Sequence, residues 1–348
     1  MITPYHSGGI LLSYKCNSRC RHCLYGCSSK WRKWLSVDDA RKILEGIRCA
    51  SGQMQHGIHL AGGEPFLDFP RLLAIQRIAV EHCVPVQYVE TNAGWCVNES
   101  DTKQKFSLLK NAGLNAILIS SSPFHAEYIP VKRVLTAVKA ALEVFGPEGV
   151  LIWVPQFLQQ FATLDSENTV PFEEYLDAFG IDTARHIISN GYSMIGGGRA
   201  GATIANFFHL SPPEHFFQHK CDDDLFRSGH AHFDPWGNLI PSFCSGISLG
   251  DARNLPHLMK NLDINRLPLV KMLAQDGLGE LYNMACRDFD YDPEPDGYID
   301  KCHLCVSIRK HIASRTTRFK ELAPLEFYNQ IHGEKWEAPD AVSSMALI

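Results

Sequence analysis

The sequence predicts an α/β chain, a partial (β/α)6 TIM-like barrel followed by a small C-terminal domain. From residue 8 to about 200, short β-rich runs alternate with longer helical patterns, and repeated β-helix-β connections force a parallel sheet covered by helices. Six such units over about 190 residues suit an open barrel, because a closed eight-fold one takes roughly 250. Beyond Ser211-Pro212-Pro213 the periodicity is lost and turns are short. The expected division is therefore a barrel over 1–210, a second domain over 211–310 and a helical tail over 311–348.

The first strand is read at Gly9 to Tyr14. Ser36-Val37-Asp38-Asp39 is a capping box that opens a helix through Ile43, Leu44 and Ile47. Gly57 to Leu60 is the second strand, Pro70 to His82 a helix, and Val86 to Glu90 the third strand. Lys103 to Ala112 is helical, Asn115 to Ser120 is a strand, Val131 to Phe145 is helical, and Gly149 to Pro155 is a strand. A helix from Phe172 to Ala178, extending to Ser189, precedes a strand-like Tyr192 to Ile195. A basic helix-like stretch (Arg309, Lys310, Arg315, Arg318, Lys320) is read as a solvated face.

The chain has 348 residues, a formal net charge of −5, 45% hydrophobic residues and 12 cysteines. That composition excludes disorder, collagen-like repeats and a strongly basic nucleic-acid binder. No apolar run approaches the roughly 20 residues that cross a bilayer, and Met1 to Gly9 does not read as a secretory signal. A reducing cytoplasm is expected, where cysteines are metal ligands or catalytic thiols rather than disulfides.

Cys16, Cys20 and Cys23 form C-x3-C-x2-C directly after the first strand. Three thiolates can hold three irons of a cubane cluster and leave the fourth iron open. A zinc site completed by His22, Cys27 or an outside residue is the alternative. Gly62-Gly63-Glu64-Pro65 follows the second strand. On a (β/α) barrel the loops after the strands converge on one face, so this segment meets the cysteine loop. Its glycines let a ligand approach the backbone, and Glu64 adds a counter-charge. Gly196-Gly197-Gly198-Arg199-Ala200-Gly201 satisfies G-x-G-x-x-G, but no acidic residue stands at a strand end near position 220, so a dinucleotide site is rejected.

With these motifs the chain resembles the radical S-adenosylmethionine (SAM) enzymes over about residues 8 to 200. The resemblance implies a 4Fe-4S cluster on Cys16, Cys20 and Cys23 whose open iron is chelated by SAM, and cleavage of SAM to a 5′-deoxyadenosyl radical that abstracts a substrate hydrogen. It implies that His22 lies against the adenine and that Gly62, Gly63 and Glu64 bind the methionine amino group. Thr91-Asn92, Ser120 and Ser122 are expected to line the SAM pocket, Arg133 to pair with its carboxylate, and Arg199 to sit at the barrel mouth. A reductant such as flavodoxin or ferredoxin is implied.

In the C-terminal part, Cys221, Cys244, Cys302 and Cys305 supply four thiolates, the first two flanking a hairpin-like segment from Phe233 to Ile240. Spacing alone leaves zinc and iron–sulfur level. Beside a radical SAM barrel the pattern resembles Twitch or shortened SPASM domains, which implies an auxiliary 4Fe-4S cluster and makes this a small C-terminal iron–sulfur domain. A four-thiolate cluster has no open iron and suits electron transfer, which favours oxidation or cross-linking of a peptide or small-molecule substrate. Cys286, surplus to these four, is read first as a buried structural thiol, otherwise as a replacement ligand or as the hydrogen donor of an epimerase; that epimerase and a non-catalytic zinc protein are the competing readings. The segment before the first strand is too short for a leader-peptide recognition domain.

Overall fold

The computed structural model describes residues 5–50, 56–164, 167–190 and 194–333. Its elements in chain order are β1 (Ser7–Leu11), α1 (Val37–Cys49), β2 (Ile58–Ala61), α2 (Phe69–Glu81), β3 (Val86–Thr91), α3 (Glu99–Asn111) and β4 (Ile117–Ser120). They continue with α4 (Pro123–Ala126), α5 (Val131–Phe145), β5 (Val150–Trp153), α6 (Pro155–Phe161), α7 (Phe172–Phe179), α8 (Ile181–Asn190) and α9 (Ala200–Ile204). After these come β6 (His230–Phe233), β7 (Leu239–Pro241), α10 (Leu255–Asn261), α11 (Pro268–Gln275), α12 (Leu278–Phe289), α13 (Lys301–Ala313) and α14 (Leu325–Gln330).

The strands form one mixed sheet of seven, ordered β5-β4-β3-β2-β1-β6-β7. Every neighbouring pair is parallel except β6 with β7, which is antiparallel. Ile10, Leu60, Val89, Ile117 and Ile119 join Ile43, Leu72, Phe106 and Ala137 of α1, α2, α3 and α5 in the main core. A second core of Phe124, Phe157, Phe161, Phe172 and Phe207 packs around Cys20. No helix among the described residues is long and apolar enough to cross a membrane.

Helix starts follow local chemistry. The Ser36 hydroxyl accepts from the Asp39 N–H at 3.0 Å and opens α1. Asn98 accepts from Ser100 N–H at 2.8 Å and Asp101 N–H at 3.2 Å, so α3 begins at Glu99, earlier than the apolar periodicity suggests. Gly180, at φ +81, ends α7 and splits the expected long helix in two.

The last barrel unit differs from expectation. Of the strand expected at Tyr192 to Ile195, residues 191–193 lie outside the described residues, and Met194 and Ile195 are in loop. The strand beside β1 is β6, from beyond the Ser211-Pro212-Pro213 punctuation. Residue spacing cannot reveal which edge of a sheet a later strand will join, because pairing with β1 depends on a crossover of long range.

The loops after β1 and β2 are zipped together. Gly63 N–H donates to Ser13 O at 2.7 Å and Glu64 N–H to Lys15 O at 3.0 Å. Gly62 sits at φ +139, where only glycine is unstrained, and a Cβ on Gly63 would collide with the Lys15 carbonyl. Gly63→Ala is therefore expected to destabilise the fold by roughly 2 kcal/mol or more, read as an earlier midpoint in chemical denaturation. It should also lower the iron retained after anaerobic reconstitution, because the cysteine loop must shift.

Candidate functional site

Cys16, Cys20 and Cys23 lie in the loop after β1, where Cys16 N–H donates to Ser28 O at 3.0 Å. All three line a cavity of about 560 Å³ with Cys27, Gly62, Gly63, Asn92 and Ser120. The sulfurs of Cys16 and Cys23 are hydrogen-bond acceptors. Ser18 N–H and Asn92 Nδ2 each donate to Cys16 Sγ at 3.4 Å, and Cys27 N–H donates to Cys23 Sγ at 3.3 Å. The Cys27 thiol beside Cys23 is the main influence holding that thiol down to about 6. Burial, with Glu64 next in weight, pushes Cys16 up to about 12. Among the described residues no three His, Cys, Asp or Glu side chains close around a single ion. The thiols instead stand around a cavity, an arrangement that fits a multi-iron cluster held from one side.

Glu64 is buried beneath this cavity rather than open to it. Its carboxylate accepts from Asn92 N–H at 2.7 Å, from the Thr91 hydroxyl at 3.0 Å and from Phe66 N–H at 3.1 Å. Burial raises it to about 7 against these donors. It acts as a brace between the β2 loop and the end of β3, which positions Asn92. His22 lines the cavity and packs against Phe124 and His125, with ring centroids 5.0 and 5.1 Å away. Asn92 Nδ2 also reaches Asn17 Oδ1 at 2.8 Å.

Three sequence expectations change here. Ser122 does not line the cavity; its hydroxyl pairs with His125 Nδ1 at 2.8 Å, because it stands one residue before α4 rather than on β4. The Arg133 guanidinium donates to Gly94 O at 2.5 Å and likewise lies outside the lining. Arg199 is fully buried and donates to Cys20 O at 2.7 Å and Cys27 O at 2.9 Å, so it holds the cysteine loop from behind instead of sitting at the mouth. Its glycine-rich setting serves that approach: Gly198, at φ +76, leaves no room for a Cβ against the Cys23 and Leu24 carbonyls.

Cys221, Cys244, Cys302 and Cys305 line one further cavity of about 300 Å³. Cys302 and Cys305 lie on the first two turns of α13, whose N-terminus Asp300 caps by accepting from His303 N–H at 2.8 Å. Cys244 follows the β6–β7 hairpin, whose turn is held by Asp234 accepting from Trp236 and Asn238 N–H, both at 2.9 Å. Burial raises Cys221 to about 12 and also raises Cys244 and Cys302. Arg309, read above as part of a solvated face, is only 4% exposed and lines this cavity. One helical turn beyond Cys305, its Nε donates to Cys305 Sγ at 3.3 Å. Lys301 pairs with Asp224 in the same wall. Ile195 and Phe243 line both cavities and stand between them.

Cys286 belongs to neither cavity. It lies on α12, packed against the main core beside Tyr282. The structure adds wall residues that the sequence reading passed over: Glu90, His125, Trp153 and Phe243. Glu90 and Trp153 were within reach of the strand-end alternation applied to Ser120, since each shares a face with the residue two positions before it.

Comparison with the sequences of curated proteins yields no match. Among solved structures the chain is similar to BtrN in complex with AdoMet and 2-DOIA, at 14% identity and TM-score 0.45 over 80% of this chain and 91% of that one. It is similar to native anSMEcpe with bound AdoMet and Cp18Cys peptide, at 15% identity and TM-score 0.42 over 93% and 97% of the two chains. HydG, a maturase of the FeFe-hydrogenase, is more distant, at 13% identity and TM-score 0.28 over 95% and 84%. The family model described as the radical SAM superfamily matches residues 10–152, the stretch that carries the cysteine loop, the paired glycines and the strand ends around the first cavity. Residues 10–152 of this chain form a radical SAM domain.

Proposed function

We propose that this chain is a radical SAM oxidoreductase that removes two electrons from a peptide or small-molecule substrate, with a second, Twitch- or SPASM-like iron–sulfur centre as the electron acceptor. The observation that carries the reading is the pair of cysteine-lined cavities with common walls at Ile195 and Phe243. When bound, the 4Fe-4S cluster and SAM supply a 5′-deoxyadenosyl radical able to abstract a substrate hydrogen.

The chain's own residues have separable tasks in this reading. Cys16, Cys20 and Cys23 would hold the first cluster, and Gly62, Gly63, Asn92, Ser120 and His22 line the space left for SAM. Leu118, Trp153, Met194, Ile195 and Phe243 give the same cavity an apolar wall that keeps water from a reactive carbon. Cys221, Cys244, Cys302 and Cys305 would hold a cluster with no open iron, suited to accepting an electron rather than binding substrate. Loss of one hydrogen atom, then of one electron and one proton, balances as a two-electron oxidation. A small reductant such as flavodoxin or ferredoxin would supply the electron that starts the cycle, and a cytoplasmic setting suits oxygen-sensitive clusters.

Anaerobic, reduced protein is expected to convert SAM to 5′-deoxyadenosine. Cys16→Ala, Cys20→Ala and Cys23→Ala should each lower that rate by about 10³-fold or more, to the limit of detection by chromatography, since a cluster missing one of three ligands is lost. Persistent deoxyadenosine from the triple variant would refute the assignment.

Iron and acid-labile sulfide analysis should give about eight of each per chain, falling to about four when Cys302 and Cys305 are both replaced by alanine. Four irons with one zinc would remove the electron-acceptor role.

Arg309→Met should lower the midpoint potential of the second centre while Arg309→Lys restores part of it, because a buried cation bonded to Cys305 favours the more negative, reduced state. Redox titration followed by electron paramagnetic resonance reads both variants.

A further inference from the structure

Glu90 is the strand-end carboxylate that faces the first cavity, next to Thr91 and Asn92. Burial pushes its carboxyl up to about 7, so that an incoming cation favours the ionised form; the side chain keeps 38% of its surface open, and His59 Nε2 stands 3.7 Å away. That imidazole cannot neutralise it near pH 7, since burial, with His230 beside it, pushes His59 down to about 3. His125, on the same cavity, is held down to about 4 by burial. Among the described residues, no lysine or arginine lines the cavity. The cavity therefore has one carboxylate, no cation to match it, and two large aromatic walls, Trp153 at 42% exposure and Phe243 at 46%.

A carboxylate half-withdrawn from water without a partner costs free energy that an incoming cation recovers. Aromatic faces add attraction for the same kind of ligand, by about 0.5–2 kcal/mol. An anionic ligand would meet the opposite on both counts.

We propose that the substrate carries a protonated amine and that Glu90 is the residue that selects it, with Trp153 and Phe243 completing the subsite. This rests on the radical SAM reading of the cavity and names the substrate class that reading leaves open. Carboxylate- or phosphate-rich substrates are excluded by the same charge pattern.

The test uses 1,5-diaminopentane and glutarate as probes, a dication and a dianion of equal carbon length, titrated into anaerobic, cluster-loaded, SAM-saturated protein and followed by calorimetry. The diamine should bind at least about tenfold more tightly. Glu90→Gln should abolish the preference and Glu90→Lys should reverse it, with circular dichroism and iron content confirming that each variant is folded and loaded. If Glu90→Lys does not fold, Glu90→Gln decides. Equal affinity of the two probes, or a preference that survives in Glu90→Gln, overturns the proposal. So does a preference that appears without SAM and vanishes with it, because Glu90 would then serve SAM. Deoxyadenosine formation by the same wild-type preparation is measured separately. Its failure refutes the radical reading, whereas the probe ranking refutes or supports Glu90's role by itself.

Discussion

Arg199 is fully buried, yet no acidic side chain among the described residues pairs with it. A bare guanidinium in the interior costs several kcal/mol, so its surroundings must compensate. They do so with backbone carbonyls: Cys20 O, Cys27 O and, at 3.4 Å, Gln330 O. Three chain segments distant in sequence are thereby tied to one point behind the cysteine loop. Burial pushes Cys20 well up and the Cys27 thiol holds Cys23 down; the Arg199 charge opposes the first and adds to the second. Arg309 repeats the arrangement at the second cavity, donating to Cys305 Sγ, to Ser245 O at 2.9 Å and to the Tyr328 hydroxyl at 2.7 Å. Each set of cysteines has a buried arginine against it, as expected where thiolates must be held out of water.

Glu64 supplies the complementary constraint from the other side. A buried carboxylate that accepts from Thr91, Asn92 and Phe66 locks the β2 loop to the end of β3. Asn92 in turn donates to Cys16 Sγ. The chain Glu64–Asn92–Cys16 couples three strand-end loops, so a displacement of any one is felt at the thiol. Such a rigid frame is what a site needs if it is to present reacting atoms at fixed separations.

Much of this was legible in the sequence because it is local. The strands up to β5, the helix capped by Ser36 and the cysteine spacing follow from patterns within a few residues. What escaped depends on contacts of long range. The pairing of β6 with β1 joins Ser7 to His230 across most of the chain. The burial of Arg199 and Arg309 is invisible to a pattern that treats arginine as a surface residue, because only the fold shows the carbonyls and sulfurs that receive them. Ser122 fell outside the cavity for a simpler reason: the strand ends at Ser120 and α4 begins at Pro123, so Ser122 takes the helix N-cap position rather than following the strand alternation, while Arg133, on α5, is drawn away to Gly94 O.

The edge pairing of β6 also bears on how two separate cysteine groups become neighbours. The first cysteine loop issues from the C-terminal end of β1, and β6 runs parallel beside β1. Its hairpin partner β7 returns along β6 and ends just before Cys244. Adding the hairpin to that edge, rather than to the β5 edge where sequence order would put a sixth unit, sets Phe243 and Cys244 against the β1 side of the barrel. Tyr25 records the result. Its ring packs on His232 of β6, with centroids 5.5 Å apart, and burial, then the charges of Glu90, Cys27, Cys244 and Cys23, pushes its hydroxyl well up. A strand attached at the opposite edge would leave four other strands between the two groups. Electron exchange falls steeply with distance, so under the proposed oxidation this choice of sheet edge would bring a second thiolate site within useful reach of the first.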